Sequence, residues 1–88
     1  MDLKDVRTEI DSVDLQIKEL FKKRMELADA VARVKAETED AIYKPDREKE
    51  IIDHLTEGVS PAINYEYTAL IKRIMEISRK YQYGRTLE

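Results

Sequence analysis

The stretch Asp2 to Ala36, DLKDVRTEIDSVDLQIKELFKKRMELADAVARVKA, decides the fold. Its apolar residues Leu3, Val6, Ile10, Val13, Ile17, Leu20, Leu27, Val31 and Val34 recur at spacings of three and four. That heptad-like seam predicts one long amphipathic helix packed against other helices. Asp2 is a suitable N-cap, and Asp5 lies in the first turn, where negative charge suits the helix dipole. Near 1.5 Å per residue, the helix would run about 50 Å. The remaining residues of so small a chain cannot cover a rod of that length. A second copy lying antiparallel along the seam is the natural way to bury it.

One seam position breaks the pattern. Arg24 stands between Leu20 and Leu27, where the spacing calls for an apolar residue. A guanidinium among buried groups is costly unless it is paired. Lys35 follows eleven residues later, close to three turns and about 16 Å along the axis, so both cations look out from the same side. An anion is the ligand such a pair suits.

Outward from this helix, Glu37-Thr38-Glu39-Asp40 reads as an acidic loop. Pro45 opens a second helix with its φ already set, followed by Asp46 and Glu48 in the first turn. Ile51, Ile52 and Leu55 give that helix a short apolar face, and Gly58 ends it. Ser60-Pro61 is an N-cap followed by proline at the first helical position, which predicts a third helix starting there. Ile63, Tyr67, Leu70, Ile71, Ile74, Ile77 and Tyr81 form its expected apolar face, with Ser78 on that face and Gln82 one turn further on. Gly84 is expected to stop it. The architecture is all-α, with a long, a short and a long helix. Residues 1–84 form one domain and 85–88 a tail, in which Leu87-Glu88 reads as an expression-vector scar.

Composition narrows the function. The 88 residues are 40% charged, with two glycines, two prolines and no tryptophan, a balance suited to helices. A domain this small struggles to bury enough apolar surface alone, and oligomerisation is a usual remedy. The net charge of −3, with both signs interspersed, favours neither nucleic acid nor an anionic membrane. No segment is long and apolar enough to span a bilayer. The absence of cysteine excludes disulfides and thiolate chemistry, and fits a reducing cytoplasm. His54 is the one histidine, which excludes a histidine-rich metal site, and it reads as a surface helix residue.

The polar residues on or beside apolar faces are Arg7, Arg24, Lys35, Arg47, Glu48, Ser78 and Gln82. They include no catalytic triad, metal cluster or phosphate loop. Such a set can bind a small dianion and position it, and any chemistry there must come from shape and electrostatics. Arg7 lies about 25 Å from Arg24 and about 42 Å from Lys35 along one helix. If it shares their ligand, it comes from the partner chain, and a two-fold dimer then has two identical sites. Plainer assignments compete. Arg7 can pair with Asp2, Glu9 or Asp11, and Arg47 with Glu50 or Asp46. Lys35 can snorkel at a helix end, Ser78 can bond back to its own helix, and Gln82 can be a wet C-terminal residue. Arg24 can serve only to set the register of a coiled coil.

In order and separation, Val6-Arg7-Thr8-Glu9-Ile10-Asp11-Ser12-Val13-Asp14, Arg24-Met25-Glu26-Leu27-Ala28, Val34-Lys35, Pro45-Asp46-Arg47-Glu48 and Ser78-Arg79-Lys80-Tyr81-Gln82 resemble the all-helical chorismate mutases. The resemblance covers Val6 to Gln82. It implies three helices interlocked with a second subunit as a homodimer, and the cofactor-free rearrangement of chorismate to prephenate in aromatic amino-acid biosynthesis. Arg24 and the partner's Arg7 would hold the two carboxylates. Lys35 and Gln82 would donate to the ether oxygen, and Glu48 would accept from the ring hydroxyl. Ser78 would touch the ring carboxylate, and Arg47 would support the acid and carboxylate contacts. Where some members carry a second acid near the hydroxyl, this chain has Lys44. The alternatives are an isochorismate pyruvate lyase, which uses similar cations, and a non-catalytic regulatory or dimerisation domain of an aromatic-pathway enzyme.

Overall fold

A computed structural model describes the backbone of residues 1–86 and the side chains of residues 1–84; the tail dipeptide Leu87-Glu88 lies outside the described residues. The chain folds as three helices, α1 (Leu3–Thr38), α2 (Pro45–Thr56) and α3 (Asn64–Thr86). No strand occurs among the described residues, as the all-α reading requires.

α1 begins as its sequence predicts, with the Asp2 side chain accepting from the Asp5 amide at 2.9 Å. It runs on past Ala36 into the acidic segment and ends at Thr38. Glu39 takes the left-handed conformation at φ 55°. Its amide donates to the Ala36 carbonyl, and the Asp40 amide donates to that of Lys35 at 2.8 Å. This reciprocal pair is a Schellman motif. Two of the carbonyls stranded at the helix end are thereby satisfied, and the chain turns back toward Lys35. α2 opens on Pro45, and Gly58, at φ 73°, follows its C-cap Glu57 in the expected role.

α3 departs from expectation at both ends. The Ser60 side chain accepts from the Ala62 amide at 3.3 Å and its carbonyl from the Ile63 amide at 3.0 Å. The first bonds therefore close a tight turn, and α-helix proper starts at Asn64. Gly84 does not stop the helix, which continues to Thr86. A glycine ends a helix when it takes positive φ; among the described glycines only Gly58 does so.

α3 is the middle of the packing: α1 and α2 both pack on it and not on each other. The core is small. Ala28 and Ala32 of α1 are buried, with Ile71 and Met75 of α3. Two alanines one turn apart let α3 approach the α1 backbone closely. The inward face of α3 is rotated from the expected one: Ile71, Met75, Ser78 and Gln82 are buried, whereas Leu70 is 54% exposed. The α1 seam itself is largely bare, from Leu3 through Ile10, Ile17 and Leu20 to Val34.

The molecule measures 54 × 27 × 15 Å with a radius of gyration of 16.3 Å. A compact domain of this length would have a radius near 12 Å. The 36 residues of α1, at about 1.5 Å each, account for the long dimension.

Candidate functional site

One cavity of about 340 Å³ is built from all three helices and the segment between α1 and α2. α1 contributes Arg24, Leu27, Ala28, Val31 and Lys35, a stripe at steps of three and four. α2 contributes Arg47, Glu48 and Ile51 from its first two turns, and α3 contributes Met75, Ser78, Arg79 and Gln82. Ile42 and Lys44 close the side between the helices. Six of the seven predicted site residues thus share one cavity. Arg7 does not line it. It is exposed, on the part of α1 that projects beyond the cavity.

Each polar group has a defined setting. Lys35 donates from Nζ to the Ile42 carbonyl at 2.8 Å, so its ammonium lies at the cavity wall and does not trail into solvent. Ser78 and Gln82 are both buried, at 7% exposure, and Gln82 Nε2 donates to the Ser78 hydroxyl oxygen at 3.1 Å. Gln82 is therefore not a wet terminal residue. Its Oε1 is also buried and finds no partner among the described residues. An orphaned buried amide oxygen carries a desolvation cost. Arg47 pairs with Glu50 at 2.6 Å on the exposed rim, one of the plainer pairings open to it. Lys44 lines the cavity and also pairs with Asp40 at 2.7 Å. The Lys44 ammonium, aided by the Ala41 amide, holds the Asp40 carboxyl below the usual carboxylate range.

Arg79 is the residue that sequence reasoning overlooked. Its Nη1 donates to Glu48 Oε1 across 31 residues of chain, and both side chains are partly buried. Its guanidinium lies over the Tyr43 ring, 4.8 Å from the centroid. That ion pair raises the Arg79 pKa above its ordinary value, despite the cost of burial. Among the described residues, Glu48 is the sole acid lining a cavity that also presents Arg24, Lys35, Lys44, Arg47 and Arg79. The excess of cations suits a dianion. A helical stripe was available as a signal, since Met75, Ser78, Arg79 and Gln82 fall at i, i+3, i+4 and i+7.

Residues 6–83 match the family described as chorismate mutase type II. The chain belongs to the chorismate mutase type II family. Among curated relatives, it is 38% identical over 79 residues to the bifunctional chorismate mutase/prephenate dehydratase of Stutzerimonas stutzeri, covering 83% of this chain and 22% of the relative. It is 30% identical over 88 residues to the enzyme of the same name from Aquifex aeolicus, covering 90% and 24%. It is 50% identical over 46 residues to the T-protein of Haemophilus influenzae, covering 52% and 12%. The chain thus spans a quarter or less of the length of these relatives. The chorismate mutase type II match takes in all of α2, most of α1 and α3, and all the residues that line the cavity.

Proposed function

We propose that this chain is a chorismate mutase, converting chorismate to prephenate on the route to phenylalanine and tyrosine. The observation that carries the reading is the single cavity that gathers Arg24, Lys35, Arg47, Glu48, Ser78 and Gln82 from three helices. The family membership supports it.

The reaction is an intramolecular rearrangement. The ether C–O bond of the enolpyruvyl group breaks as a C–C bond to the ring forms, and no atom enters or leaves. It needs no nucleophile and no cofactor. Arg24 binds one carboxylate, as a planar guanidinium can do with two parallel bonds. Lys35 and Gln82 donate to the ether oxygen, where negative charge grows as the C–O bond breaks. Fixed donors aimed at developing charge lower the barrier without reorganising. Glu48 accepts from the ring hydroxyl, Ser78 touches the ring carboxylate, and Arg47 stands at the rim as a further cation. Holding the flexible ether in its compact conformer supplies the rest.

The working form in this reading is a homodimer in the cytoplasm. The bare apolar seam of α1 supports the dimer, because each fully buried Leu, Ile or Val would contribute about 1.5–3 kcal/mol. An antiparallel copy along that seam would bring its Arg7 to the second carboxylate.

Incubating the purified protein with chorismate and following its ultraviolet absorbance tests the activity. Prephenate formation is expected. Salicylate formed from isochorismate, with chorismate untouched, would make the protein a lyase. Turnover of neither would leave a helical interaction domain.

A further inference from the structure

Glu48 stands in a difficult place for a carboxylate. It shares its cavity with Arg24, Lys35, Lys44 and Arg47. Any of these could draw it into an ion pair and so remove both the acid and the cation from the ligand. Its neighbour Arg47 does not hold it, being engaged with Glu50 at the rim. Arg79 does. We propose that Arg79 is a positioning residue, whose guanidinium keeps one Glu48 oxygen occupied so that the other is presented to the substrate's ring hydroxyl. The inference rests on the mutase reading and adds a residue to it.

The geometry suits the task. α2 packs on α3 and not on α1, so a bond from α3 to the first turn of α2 sets where that turn lies. The guanidinium donates to Glu48 while its central carbon lies over the ring of Tyr43, in the segment just before α2. A planar, always-charged group held by a carboxylate on one side and an aromatic ring on another is more firmly oriented than a lysine ammonium would be. Because the bond goes to Oε1, Oε2 is left to accept from a ligand. Arg24 and Lys35 are meanwhile spared for the dicarboxylate.

The test compares kcat/KM for chorismate with that for an analogue lacking the ring hydroxyl, in the 88-residue chain. The wild type should prefer chorismate by roughly tenfold or more, the usual range for a hydrogen bond to a charged group. Arg79→Met should reduce that preference to about threefold or less, because Glu48 then turns to other cations. Arg79→Lys, which keeps the charge and not the planar fork, should fall between, and it provides the measurement if the methionine variant does not fold. A merely structural role for Arg79 would lower both substrates alike. An unchanged preference in both folded variants would overturn the inference while leaving the mutase reading intact. A wild type that does not distinguish the two substrates would also overturn it. A wild type that does not convert chorismate would fail the functional reading itself and take this inference with it.

Discussion

Gln82 donates its amide to the Ser78 hydroxyl at 3.1 Å, one helical turn away, and its own Oε1 is buried without a partner among the described residues. Rotating the amide by half a turn gives the complementary arrangement. Ser78 then donates to Oε1, and Nε2 is turned away from the serine. In that state the oxygen is satisfied, and Nε2 takes the buried position that Oε1 held. The pair therefore ties the orientation of the predicted donor to a neighbour on its own helix.

A neutral amide donates at any pH in the working range. Activity should accordingly show no collapse between about pH 7 and 8.5, a range in which an ordinary carboxylic acid is already ionised. In Gln82→Glu the donor would be a protonated carboxyl, so activity should rise as pH falls and be lost as pH rises through that group's pKa. Initial rates across pH, on protein with unchanged helical content, check both. A steep alkaline loss in the wild type would count against Gln82 as the donor.

Arg7 is exposed and absent from the cavity lined by Arg24. Arg7→Ala and Arg24→Ala should each be nearly inactive alone. Mixed and refolded together, they should recover up to about a quarter of wild-type activity. Half the chains pair as heterodimers in a statistical mixture, and each such dimer holds one intact site of two. Proven heterodimers with no activity would sink the shared-site arrangement.

Ala32 is 2% exposed where α1 meets α3. Ala32→Leu should destabilise the fold by about 1–3 kcal/mol, as extra methylenes in a packed contact force the helices apart. Denaturant unfolding at a fixed protein concentration reads this, because stability is linked to association.

Gly84 lies inside α3, and a Cβ added there would meet nothing within 4 Å. Gly84→Ala should therefore stabilise the helix end by roughly 0.5–1 kcal/mol. A loss of stability instead would mean that the helix ends before this residue.

Glu76 accepts from Lys80 at 3.2 Å and pairs with Arg73, and these cations lower its pKa. Lys44 lowers that of Asp40 in the same way. A carboxyl with a depressed folded-state pKa binds protons more readily when unfolded. Its contribution is present above the unfolded value, about pH 4, and is lost as pH falls through the folded value. Unfolding measured between about pH 5 and 2 should show a shallower acid decline in Glu76→Gln and Asp40→Asn than in the wild type. Added salt should flatten the wild-type decline, because both pairs are at the surface.

The sequence by itself determined the helices and the residue types at the site. Period-3.6 patterning, Asp2, Pro45 and Gly58 act within a few residues of themselves, so their effects were legible without a fold. The misplaced Arg24 and its distance to Lys35 were legible for the same reason, since a helix converts sequence separation directly into length. The ends of α3 did not hold as read. Gly84 has the freedom to end a helix, yet nothing at that point draws the backbone out of it. The rotation of α3 was decided by packing. Adjacent residues on a helix differ by about 100° around the axis, so Ile74 and Met75 both fit an apolar stripe. Close contact with Ala28 and Ala32 selected the face that carries Met75, Ser78 and Gln82. The same rotation took Arg79 into the cavity and onto Glu48, 31 residues away. Sequence offers Arg47 as the nearer cation, but ion pairs form by distance in space, and only the packing of α2 on α3 settled which arginine that was.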